Sequence, residues 1–260
     1  MMLEYIKLQG DFDKRTSCEA QCRVCGRKHA LPLGPSLPEA YRLIKSLLHT
    51  GRVDYDAPED RADPRLSTAP LFGEARGQMF GVLVCRDKQG RTGVLKAFSG
   101  QMNGVWQVPG WVPPLVDTRQ MAAMSWGPEK LIKKYGSRIA SLPVDSPERN
   151  KLIERRRGLS RALTKDIHAL YLLPNFRRQL KPMVEVVGPD RGIPTGTGDC
   201  CAPKLIGYAA RYGLVPLGIS EFYLGRENRS KTRINGAVYP ACSSKCGLIL
   251  GHMLCGLEDL

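Results

Sequence analysis

Nine cysteines in 260 residues fall largely into two groups spaced like metal ligands, and this constrains the fold more than any other feature. Met1–Tyr5 has neither the basic nor the apolar region of a secretion signal, so the expected compartment is the cytoplasm, where thiols stay reduced. No apolar run approaches the ~20 residues that span a bilayer. Clustered thiols then read as ligands rather than as a disulfide framework. The first group runs Cys18-x3-Cys22-x2-Cys25-x3-His29. Three thiolates and an imidazole satisfy a tetrahedral Zn²⁺, and Gly26 suits the tight turn between them. A zinc-knuckle-like head within residues 1–70 is therefore expected; the alternatives are that only Cys22 and Cys25 bind, with the other ligands supplied from elsewhere, or that the segment is a disordered basic head.

The second group is split between Gly198-Asp199-Cys200-Cys201-Ala202-Pro203 and Tyr239-Pro240-Ala241-Cys242-Ser243-Ser244-Lys245-Cys246, with His252 and Cys255 beyond. Residues 204–213 carry helical apolar spacing and end on Gly213, which places Cys200 just before a helix N-terminus. There the helix dipole favours a thiolate. Residues 247–254 form a second helical candidate behind Cys242 and Cys246, and residues 214–225 between the two helices read as a strand. Ligands brought from two separated turns tie metal binding to folding. Cys200, Cys242 and Cys246 are the expected zinc ligands.

This order of turn, helix, strand, turn, helix resembles the zinc core of the cytidine-deaminase-like fold. The pair spacing here is x3 rather than x2, and Ala202 stands where that family has its glutamate, so proton transfer would fall to Asp199 or Glu221. A closed alternative adds Cys201, Cys255 or His252 as a fourth ligand and leaves a purely structural site. His49 and His168 read as ordinary histidines.

The two apolar runs of residues 79–100 around a polar turn predict a β-hairpin, with Cys85 a buried thiol. Residues 106–114, rich in Trp and Pro, are loop-like and expected to pack on the sheet. The glycine-rich segment 192–198 lacks the lysine and hydroxyl ending of a nucleotide-phosphate loop. The fold class that follows is α+β: a small sheet with helices and a deaminase-like core in residues 71–260, interrupted by a basic helical insertion over 119–182. That insertion holds 15 Lys or Arg against 5 acidic residues, most of the net +14 of the chain. Ser146-Pro147 opens an amphipathic helix in it, whose Arg155, Arg156, Arg157 and Arg161 are candidate phosphate contacts.

Three stretches, Gly77–Val84 with Ala97–Gly100, Pro109–Pro114 and Thr197–Leu205, resemble the N-terminal companion region of a subset of RluA-type pseudouridine synthases, as do Ile219–Gly225 and the segment from Tyr239 to Leu254. The resemblance covers roughly residues 71–260 and leaves out the head. It implies an RNA-modification context, with RNA and a pseudouridine synthase as partners. It does not imply synthase activity, because the family's Arg-Leu-Asp catalytic stretch has no counterpart here. The expected function is a zinc-binding, RNA-associated protein with a deaminase-like hydrolase centre. The alternatives are a non-catalytic zinc-stabilised RNA-binding module and a protein-interaction adaptor.

Overall fold

The computed structural model describes residues 2–260. The chain opens with β1 (Glu4–Tyr5), the hairpin β2 (Asp13–Gln21) and β3 (Lys28–Gly34), and α1 (Ser36–Thr50). After short 3₁₀ turns between 59 and 72 come β4 (Gln78–Arg86) and β5 (Thr92–Phe98), then two long helices, α2 (Thr118–Ala140) and α3 (Pro147–Ala169). The small hairpin β6 (Leu172–Pro174) and β7 (Leu180–Pro182) leads through α4 (Met183–Val187) to α5 (Cys201–Tyr212), β8 (Val215–Leu224), β9 (Val238–Tyr239) and α6 (Gly247–Leu254). The protein is thus mixed α+β. Its main sheet has the order β1-β5-β4-β8-β9 and is antiparallel throughout. No helix among the described residues is long and apolar enough to cross a membrane.

Side chains alternate across a strand, so the unbroken apolar run of β4 feeds two cores. Phe80, Val82 and Val84 face one side, where they meet Leu43 and Leu47 of α1 and Trp111. Trp111 is buried edge-on to Phe80 and donates its indole N–H to Val53 O at 3.1 Å, so the 106–114 segment packs on the sheet as its composition suggests. Leu83 and Cys85 face the other side, against α5 and α6. Leu205 and Ile206 of α5 are fully buried there, each contributing about 1.5–3 kcal/mol. Helix α5 comes this close because Gly81 has no side chain: a Cβ there would lie 2.6 Å from Cys201 Cβ.

Residues of the first seventy positions join both cores. β1 pairs with β5, α1 covers one face of the sheet, and Cys18 and Leu31 of the β2–β3 hairpin enter the core on the other. The basic insertion behaves differently. α2 is capped by Asp117, whose carboxylate accepts the Arg119 and Gln120 amides, and α3 by Ser146 with Pro147 in the first turn. The two helices pack mainly on each other; α2 buries only Ser125 and Ile139, and α3 only Leu163 and His168.

Candidate metal centres

At the tip of the β2–β3 hairpin the chain reverses through Cys22–Gly26. The Cys22 amide donates to Arg27 O at 2.8 Å and the Gly26 amide to Cys22 O at 3.0 Å, with Gly26 at a positive φ of 70° that glycine adopts without strain. This turn gathers Cys22, Cys25 and His29. The fourth member is Cys255, at the C-terminal end of α6, and the four ligand atoms lie within 4.8 Å of one another. Cys18 is not among them. It sits on β2 facing the core, where burial pushes its thiol pKa well above the ordinary value. In the irregular register of β2 the nearest cysteine in sequence is therefore a core residue, and the missing ligand arrives from the far end of the chain.

The donor set fits zinc. It has three thiols and one imidazole, and all nine cysteines are free. His29 Nε2 lies 3.1 Å from Cys25 Sγ, while its Nδ1 meets Glu258 at 3.0 Å. A carboxylate on the outer nitrogen fixes the ring with its inner nitrogen toward the ligand set, the usual arrangement around a metal-binding histidine. Burial raises the Cys25 pKa, but the Arg27 amide, His29 and the neighbouring thiols outweigh it and hold Cys25 down to about 6. Cys255 is pushed up to about 12, by burial first and then by the nearby sulfurs. Cys25 thus favours the thiolate and Cys255 the thiol, and a divalent cation would favour ionisation of both.

The second cluster joins Cys200, Cys242 and Cys246, again within 4.8 Å. Cys200 is the N-cap of α5 and Cys246 the N-cap of α6, so both helix N-termini converge on the set as the sequence order suggests. The turn between Cys242 and Cys246 is held by the Gly247 amide on Cys242 O at 3.0 Å, and the Ala241 amide ties it to Ser17 O at 2.8 Å. Hydrogen bonds from the Cys200 and Cys246 thiols hold Cys242 far below the ordinary thiol pKa. Cys200 is driven strongly upward, first by donating to Cys242, then by Cys246 and by burial. The crowding favours a thiolate at Cys242 and opposes one at Cys200, and three sulfurs so placed are a donor set suited to a thiophilic cation.

The residues that a closed second site would need lie outside the set. Cys201 lies under the sheet with its sulfur 3.4 Å from Met79 O. Cys255 belongs to the first cluster. His252 is buried with Nε2 3.2 Å from Leu173 O, and its Nδ1 has no partner. Among the described residues no fourth Cys, His, Asp or Glu joins Cys200, Cys242 and Cys246 within the same distance.

Two carboxylates stand near this centre, with different partners. Asp199 braces the loop: its Oδ1 accepts the Tyr171 hydroxyl at 2.6 Å and its carbonyl accepts the Gly100 amide at 2.8 Å. Glu221 lies on β8 opposite Gly81, only 3% exposed, and its Oε1 accepts the Ala202 amide at 2.6 Å. Burial pushes its pKa up to about 7 against the opposing pull of that amide. The carboxylate that is absent from position 202 in sequence thus reaches the backbone of residue 202 in space. Buried Lys204 completes the frame, with Nζ 2.8 Å from both Phe98 O and Gly100 O, fastening α5 to the end of β5. Sequence reasoning missed Tyr171 and the placement of Cys255.

Of the four candidate arginines on α3, Arg156, Arg157 and Arg161 line one cavity of about 790 Å³ and Arg155 does not. His49 is exposed on α1, and His168 is buried at that cavity, where burial lowers its pKa. No protein-family model, curated protein or solved structure matches the chain.

Proposed function

We propose that the protein is a zinc-binding, RNA-associated protein whose Cys200, Cys242 and Cys246 centre performs a deaminase-like hydrolysis on a nucleobase. The observation that carries this reading is the set of three cysteine sulfurs at two helix N-termini, with no fourth Cys, His, Asp or Glu within the same distance among the described residues. Catalytic zinc sites keep a position open whereas structural ones are closed, and the four-ligand set Cys22, Cys25, His29 and Cys255 has the structural character. Zinc, when bound, would supply a water acidic enough to attack at neutral pH. Glu221 is the proton carrier: Oε1 is fixed by the Ala202 amide and Oε2 takes the proton of the attacking water. That proton passes to the departing amino group, so water oxygen replaces nitrogen on the ring carbon and ammonia leaves. Asp199, engaged by Tyr171, is a positioning residue. The basic α2–α3 pair, with Trp126 77% exposed on α2, offers cations and a ring for stacking on single-stranded RNA. The resemblance to the companion region of RluA-type synthases supports RNA as substrate and a pseudouridine synthase as partner.

A non-catalytic RNA-binding module is the second reading, favoured by the depth at which Cys246 and Glu221 are buried. The deciding experiment combines zinc analysis, cobalt substitution and ammonia release from cytidine- or adenosine-containing RNA. Two metals per chain, one with an exchangeable ligand, and ammonia release that is lost in Glu221→Gln support the hydrolase. Two closed sites without ammonia release establish the module.

A further inference from the structure

We propose that the cavity between α3 and the Gly192–Thr195 segment is a phosphate-binding cleft that seats the backbone of a single RNA strand and leads it toward the three-thiolate centre. This rests on the RNA-associated reading above. The cavity, about 790 Å³, lies in the size range of ligand pockets. Arg156, Arg157, Arg161 and Lys165 line it, and no Asp or Glu does. Arg157 shares an exposed ion pair with Glu154 at 2.9 Å; the other three make no ion pair among the described residues. Residues 157, 161 and 165 form one row along the helix, each step rising about 6 Å. Like charges at this spacing repel modestly, and an anion lying along the row would relieve that repulsion. The four cations are exposed, and Ser160, Thr164 and His168 of the same helix line the cleft beside them.

The opposite wall connects the cleft to the metal centre. Thr195 O accepts the Lys245 ammonium at 3.2 Å, which joins it to the Cys242–Cys246 turn. The same segment continues through buried Thr197, whose hydroxyl donates to Pro194 O at 2.7 Å, to Asp199 and Cys200. One short braced loop therefore forms both a wall of the cleft and the approach to the first thiolate. A row of cations rather than a single cluster favours successive phosphates of a strand over the one phosphate of a free nucleotide.

The test uses the full-length, metal-loaded protein and a fluorescently labelled ten-nucleotide single-stranded RNA titrated at several KCl concentrations. Each phosphate contact on a single strand contributes about −0.7 to the slope of log affinity against log salt. Arg157→Gln with Arg161→Gln should flatten the slope by about 1.4, while Lys14→Gln with Lys45→Gln, exposed on β2 and α1 and outside both the cleft and the basic helix pair, should change it less. No flattening in the first pair, or equal flattening in both, overturns the proposal. Competition by a nucleoside 5′-monophosphate or inorganic phosphate as effective as that of unlabelled RNA would make this a free-nucleotide site. Equal competition by polyglutamate would make it an acidic-protein surface, and either result overturns the strand assignment. Binding that behaves as expected without ammonia release removes the hydrolase and keeps the cleft. Ammonia release from free nucleosides without RNA binding does the reverse.

Discussion

Replacing Glu221 by Gln separates a proton carrier from a structural anchor, because the two roles predict opposite effects on stability. The Glu221 carboxyl is held at about 7 against an ordinary 4.5, so ionising it inside the fold removes about 3 kcal/mol of stability. The unfolded chain releases this proton near pH 4.5 and the folded chain near pH 7. The group's contribution is therefore fully present below about 4.5 and is lost as pH rises through about 7. Glutamine is neutral throughout and its carbonyl can still accept the Ala202 amide, while its new N–H₂ needs an acceptor, a cost of about 1 kcal/mol. The variant should be about 1 kcal/mol less stable than the parent at pH 4.5 and about 2 kcal/mol more stable at pH 8. In a chain of this size the gain is roughly 4–8 °C in Tm. Melting both metal-loaded proteins side by side at each pH makes thiolate titration common to the pair. Ammonia release should fall by about 10²–10⁴. Equal destabilisation at both pH values would refute the argument, since it would mean that Glu221 is a neutral or ion-paired strut whose loss matters at any pH.

Cys18→Ala should leave metal content unchanged and cost about 1 kcal/mol for a small core void, whereas Cys255→Ser should remove one metal per chain by elemental analysis. Retention of both metals in the second variant would break the four-ligand assignment. Tyr171→Phe should lower stability by about 1–2 kcal/mol through loss of its bond to Asp199, with zinc stoichiometry intact; a matching loss of metal would make Asp199 more than a brace. Gly81→Ala should cost about 1–3 kcal/mol, because its Cβ would meet Cys201 Cβ at 2.6 Å, and should weaken cobalt binding by displacing the neighbouring Cys200. A variant with parental stability would show that α5 can move off the sheet freely.

The local elements were legible because local rules governed them. Gly213 ends α5 in the left-handed conformation that a C-cap requires, Ser146-Pro147 starts α3, and the 79–100 runs pair as β4 and β5. The grouping of Cys200, Cys242 and Cys246 was legible because each precedes a helix. Cys255 was not, since nothing near it in sequence marks it as a partner of Cys22. One signal was present: Cys246 and Cys255 are nine residues apart on a helix, two and a half turns, so they lie at opposite ends and cannot share an ion. Cys18 misled because the x3 spacing ignores which way a strand residue faces. Glu221 could be named but not placed, because its approach to Ala202 depends on how a helix packs on a sheet.

That geometry makes α6 the element on which both centres depend. Cys246 stands at its start and Cys255 at its end, about 13 Å apart at helical rise. Between them Gly251 is pressed against the Gln21 carbonyl and the Cys22 amide, where any Cβ would collide. A metal on the four-residue set would fix the far end of α6 to the β2–β3 hairpin, and the hairpin in turn meets the other centre through Ser17 O and the Ala241 amide. A three-thiolate site with an open position has one fewer bond to hold its ligands in place, so rigidity must come from outside it. On the proposed reading it would come from a metal held by Cys22, Cys25, His29 and Cys255 at the other end of the same short helix.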